Sequence, residues 1–185
     1  MRKLIITLVA ALLTLVIFTN SSLISVGAER IAERLLLYVH IAQLYTEEPD
    51  STISMPLKEV RKKQIADSWH APRSGNRLHE GQDLFAPRDT PVYSATEGYV
   101  LQIGENDLGG KTVSVIGAGG RVYYYAHLDS YAEGLREADD VTPQTILGYV
   151  GTTGNAQGTP PHLHLGVYTP TGAINPLPLL KDRRD

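Results

Sequence analysis

The chain changes texture twice along its length. Residues 4–18, LIITLVAALLTLVIF, carry no charge, and the uncharged run continues to Ala28. That is about 25 residues, where about 20 suffice to cross a bilayer as a helix. Arg2 and Lys3 precede it, and Val26-Gly27-Ala28 offers a small-residue cleavage site. Residues 1–28 therefore read as a signal peptide or a signal-anchor transmembrane helix, with the rest of the protein exported to the periplasm or cell exterior. The next stretch sets Ile31, Leu35, Val39 and Ala42 at helical spacing between charges, which predicts an amphipathic helix over 29–45. His40 belongs to that helix as a surface or packing residue. The polar, proline-containing TEEPDSTISMP, residues 46–56, reads as a linker.

From residue 57 to 185 the pattern is that of a β domain. TPVYSA, GYVLQIG, KTVSVIG, RVYYYAHL, TILGYVG and HLHLGVY are short runs rich in Val, Ile, Tyr and Thr, separated by glycine-containing turns. Such spacing predicts a mainly β domain of sandwich or barrel-like form. KTVSVI-GAGG-RVYYYA has the form of a β-hairpin. No further helical pattern is long enough for parallel crossovers.

Composition narrows the chemistry. A net charge of −3 gives no electrostatic case for nucleic acid. The absence of cysteine excludes disulfides, thiol nucleophiles and thiolate metal sites. Any metal must then be held by nitrogen and oxygen ligands, which suits zinc.

The histidines supply such ligands. In PPHLHLGV, residues 160–167, a strand puts His162, His164 and Gly166 on one face and Leu163, Leu165 and Val167 on the other. The apolar face packs inward and the imidazoles look into a groove. In HEGQD, His79 and Asp83 share a face. The segment is not the metalloprotease helix HExxH, because Gly81 and Pro87 leave little room for a stable helix. His79, Asp83 and one histidine of the HLH pair make a three-ligand zinc set with a fourth position open for water. The remaining histidine and His127, at the end of YYYAHL, supply two imidazoles for acid–base work and for hydrogen bonding to an oxyanion.

HEGQD, YAHL and HLH, in this order, resemble the motifs of the LytM- or lysostaphin-type zinc metallopeptidases, peptidase family M23. The resemblance runs from about Trp69 to Pro176. It implies a compact antiparallel β-sheet fold with a groove floored by the sheet, one Zn2+ held by His79, Asp83 and His164, and a non-ligand catalytic pair, His127 and His162. It further implies an endopeptidase that uses zinc-activated water on amide bonds in peptidoglycan peptide stems or cross-links. The alternative within the resemblance is a non-catalytic module that binds and activates a cell-wall amidase. Many members follow the last histidine with Phe-Glu where this chain has Leu165-Gly166, so open space beside His164 is expected.

Arg73, Asn76 and Arg77 precede the first ligand and are candidates for holding a peptide carboxylate. Trp69 and His70 are candidates for a groove wall. By parity with His127, Tyr123 and Tyr125 face the groove, and Tyr125 joins the candidate substrate contacts. The expected partners are peptidoglycan peptides and, through the N-terminal segment, the membrane.

Overall fold

The computed structural model describes residues 37–183. The signal or anchor segment expected over 1–28 lies outside the described residues, as does the first part of the amphipathic helix; residues 37–44 of that helix are helical. Among the described residues no helix is long and apolar enough to cross a membrane.

The strands are β1 (Ile53–Ser54), β2 (Gln82–Phe85), β3 (Pro91–Tyr93), β4 (Gly98–Asn106), β5 (Gly110–Ile116), β6 (Val122–Tyr131), β7 (Asp140–Val141), β8 (Ile146–Val150), β9 (His162–Thr169), β10 (Gly172–Ile174) and β11 (Leu180–Lys181). The six predicted runs all lie on strands. The expected hairpin is present as β5 and β6, with Ile116 opposite Val122. β4 and β5 are joined by a turn that Asn106 closes, its Oδ1 accepting the backbone N–H groups of Leu108 and Gly109.

Nine strands form one sheet, antiparallel at every pairing. β9 is central to the site: it pairs with β6 on one side, with β2 along its first half on the other, and with β10 near its end. Leu163, Leu165 and Val167 of β9 are fully buried and pack with Leu84, Val113, Val115, Tyr123, Tyr125 and Leu128. Burying a side chain of this size contributes about 1.5–3 kcal/mol, which pins the register and so the opposite face.

β6 contains the irregularity that shapes the groove. Lys111 pairs with Leu128 and Val113 with Tyr125, so Ala126 and His127 together face Thr112 alone. His127 takes up the extra residue with φ at 64°, a left-handed conformation that bulges the strand. Beyond the bulge β6 leaves β9 and pairs with β8.

The segment read as a linker over 46–56 is part of the folded domain. β1 pairs in parallel with β11, and Ile53, Met55 and Leu57 are buried in the core. Its polar composition hides an alternation of isolated apolar residues too short to register as a strand.

Candidate metal and catalytic site

The site assembles where β2 crosses the start of β9. Asp83 stands opposite His164 and Phe85 opposite His162. Gly81 precedes β2, and a Cβ there would come within 2.4 Å of the His164 ring and 2.8 Å of the Leu165 carbonyl, so only glycine lets β2 approach. Residues 79–81 have no helical structure, in keeping with the rejected helix motif.

His79 Nε2 lies 2.9 Å from His164 Nδ1, and both lie 3.1 Å from Asp83 Oδ1. His79 Nδ1 sits 2.7 Å from the Ser68 carbonyl. A carbonyl only accepts, so Nδ1 carries the proton and the Nε2 lone pair faces the cluster. Ser68 is itself fixed. Its N–H donates to Gln82 Oε1 and its hydroxyl oxygen accepts the Asp83 N–H, while the buried Gln82 amide donates to the Ala66 carbonyl.

Three electron-rich atoms thus face one another across about 3 Å. Ligands at about 2.0–2.1 Å in a tetrahedral zinc site stand roughly 3.3 Å apart, so the triangle has the size of one tetrahedral face. The donor set fits zinc, and these three residues could hold a metal ion. Burial alone would raise the Asp83 carboxyl, but the close polar contacts of His164, His79 and Arg73 outweigh it and hold the group well below the usual carboxylate range. Asp83 is therefore ionised, as a ligand must be. Burial, opposed by Asp83, lowers His164 and favours its neutral form.

His127 and His162 complete the cluster, with ring centroids 5.0 Å apart. Each has its Nδ1 on a backbone carbonyl, that of Thr153 for His127 at 3.0 Å and that of Pro160 for His162 at 2.8 Å. Both therefore keep Nε2 free, and His162 Nε2 is 3.9 Å from Asp83 Oδ1. Burial first, and then His162 and His164, push His127 down to about 4, so at neutral pH it is an uncharged proton acceptor.

All five side chains open into one groove of about 560 Å³, whose walls include Arg73, Arg77, Leu108, Tyr124, Asn155 and Tyr168. Arg73 and Arg77 line the groove, whereas Asn76 sits at the loop tip and does not. Trp69 and His70 stack on each other at 4.4 Å and are likewise not in its wall.

Tyr125 corrects the sequence reading. It is fully buried in the core and its hydroxyl accepts the Ala95 N–H, away from the groove; Tyr123 is also buried. Parity counted back from His127 fails because the bulge inserts one residue. Counted from the His164 partner Ala126, the groove residue is Tyr124, which lines the cavity and accepts from Asn106 Nδ2. The space expected beside Gly166 is also filled: the Tyr168 ring lies where a Cβ at Gly166 would approach within 2.8 Å. Tyr124 and Tyr168 meet edge to face at 6.4 Å. Neither tyrosine carries a motif signal, and a bulge in an unbroken VYYYAHL run cannot be seen from the residues.

The profile of Peptidase family M23 matches residues 77–176. The L-Ala–D-Glu endopeptidase of Bacillus subtilis (strain 168) is 36% identical over 116 residues, covering 58% of this chain and 36% of that protein. Lysostaphin of Staphylococcus simulans is 32% identical over 110 residues, covering 56% of this chain and 22% of that one. Among solved structures, the catalytic domain of lysostaphin from Staphylococcus simulans aligns with a TM-score of 0.55 at 26% identity, over 63% of this chain and 92% of that domain. Helicobacter pylori Csd3 aligns with a TM-score of 0.57 at 30% identity, over 72% of this chain and 34% of that one. The chain spans about a third or less of the length of these relatives apart from the isolated catalytic domain. The matched stretch contains His79, Asp83 and His164, the two further histidines and the strands that carry them, and on that match the chain belongs to Peptidase family M23.

Proposed function

We propose that this protein is a zinc-dependent endopeptidase that cleaves amide bonds in peptidoglycan peptide stems or cross-links. The observation that carries the reading is the convergence of His79, Asp83 and His164 beside two imidazoles with free Nε2 atoms, in a groove wide enough for a peptide. When bound, zinc supplies Lewis acidity, polarising a carbonyl and acidifying a water molecule. The chain's own residues do the rest. His127 or His162 accepts a proton at Nε2 as water attacks the carbonyl carbon. The other, in the form that carries a proton on both ring nitrogens, donates from Nε2 to the oxygen as charge gathers there, and the Nδ1 contacts to backbone keep both rings aimed. One similar protein is named an L-Ala–D-Glu endopeptidase, which supports a peptide amide as the bond attacked. The uncharged stretch behind Arg2 and Lys3 supports export or anchoring, with the groove working outside the cytoplasmic membrane.

The test is to incubate the purified protein with peptidoglycan, with and without a chelator, and to analyse new amine termini and muropeptides. Chelator-sensitive amine release is expected. No release, together with stimulation of an added amidase, would replace this reading with the activator alternative. Comparing the N-terminal mass of the protein recovered from cells with that encoded tests export and cleavage.

A further inference from the structure

The two oxygens of Asp83 have different partners. Oδ1 completes the triangle with His79 and His164, whereas Oδ2 lies 2.5 Å from an Arg73 guanidinium nitrogen. Asp83 is nearly buried, with a side chain 9% exposed, while that of Arg73 is 40% exposed. Arg73 therefore reaches inward from the groove wall to a ligand. The backbone sets that reach. Residues 70–79 fold back on themselves, with His70 N–H to the His79 carbonyl, His79 N–H to that of Ala71, and Arg73 N–H to that of Arg77. The same short hairpin thus carries both a ligand, His79, and the cation that holds the next ligand.

A carboxylate beside a divalent ion can bind through one oxygen or two. Here the second is engaged by a charge-assisted hydrogen bond, the strong kind that is costly to break in a partly dry site. We propose that Arg73 is a positioning residue that keeps Asp83 a one-oxygen ligand, so that the fourth corner of the metal stays open for the reaction. The inference rests on the zinc reading above and divides the labour of the two groove arginines. Among the described residues no hydrogen bond or ion pair engages the Arg77 side chain, which leaves it, and not Arg73, for a substrate carboxylate.

The experiment uses the cobalt(II)-substituted protein, because the visible band of cobalt is several-fold more intense in four-coordinate than in five-coordinate sites. Wild type and Arg77→Met should both give the intense four-coordinate band. Arg73→Met, which keeps the bulk of the stem but not the donor, should give the weak five-coordinate band as Oδ2 joins the metal. Arg73→Lys should restore the intense band, which a merely structural role for Arg73 would not require. Should Arg73→Met fail to fold by circular dichroism, Arg73→Gln, whose amide falls short of Oδ2, carries the same expectation. A four-coordinate band from either variant overturns the proposal while leaving the zinc reading intact. A wild-type protein that takes up neither cobalt nor zinc overturns both.

Discussion

Four histidines share the groove, two with a ring nitrogen in the triangle with Asp83 and two without. His127 and His162 give Nδ1 to carbonyls and stay outside the triangle; His164 turns Nδ1 into it. His127→Ala and His162→Ala should each lower kcat on peptidoglycan by about 10²–10⁴ while retaining one metal per chain. His79→Ala, Asp83→Ala and His164→Ala should lose the metal itself, as measured by metal analysis of the folded protein. Full turnover in either of the first two variants would sink the assignment of roles. Tyr125 yields a different prediction. Burial, opposed by the Ala95 N–H, raises its hydroxyl to about 12. The unfolded chain releases this proton near pH 10, two units earlier than the folded one. Its contribution to stability is thus complete below pH 10 and is lost as pH rises towards 12, by roughly 1.4 kcal/mol at pH 11. Urea unfolding at pH 9 and pH 11 should show that loss in wild type, and a correspondingly smaller one in Tyr125→Phe.

At the scale of elements, β2 and β9 must touch for the site to exist, and Gly81, just before β2, has no room for a side chain. Gly81→Ala drives a methyl into both the His164 ring and the Leu165 carbonyl, and the backbone atom cannot swing aside. The expected cost is about 1–3 kcal/mol in stability, with weaker zinc binding in a competition titration. An alanine variant with wild-type zinc affinity would show that β2 has more slack than the contacts imply. Strand alternation made the faces of β9 legible from sequence, because its two-residue period survives unbroken from His162 to Val167. The same rule failed on β6, where Ala126 and His127 share a single partner position. Tyr125 was misplaced and Tyr124 overlooked for that one reason. β2, β7, β10 and β11 span two to four residues each, too few for a pattern to stand out, and tertiary pairing alone defines them.

For the whole domain, the boundary matters more than its composition suggested. Ile53, Met55 and Leu57 are buried although the surrounding residues are polar. Asp50 extends the attachment upstream: it accepts hydrogen bonds from Thr96 and Tyr123, and its carbonyl accepts one from Arg121. Met55→Ala should cost about 2–5 kcal/mol in urea unfolding followed by Trp69 fluorescence. A fragment starting at Leu57 should lose cooperative unfolding that one starting at Thr46 retains. Equal stability of the two fragments would return residues 46–56 to the status of a tether. The cluster of His79, Asp83 and His164 was legible because metal chemistry demands particular side chains; a tether and an edge strand differ only in what they pack against.

The parallel pairing of β1 with β11 bears on mechanics. Chain enters beside Ile53 and leaves beyond Lys181, at opposite ends of that pair. Tension applied between the two exits would load the Ile53–Leu179 and Met55–Lys181 hydrogen bonds together, in shear, rather than unzip them one by one. That pair would therefore bear such a load before any strain reached the strands that hold the histidines.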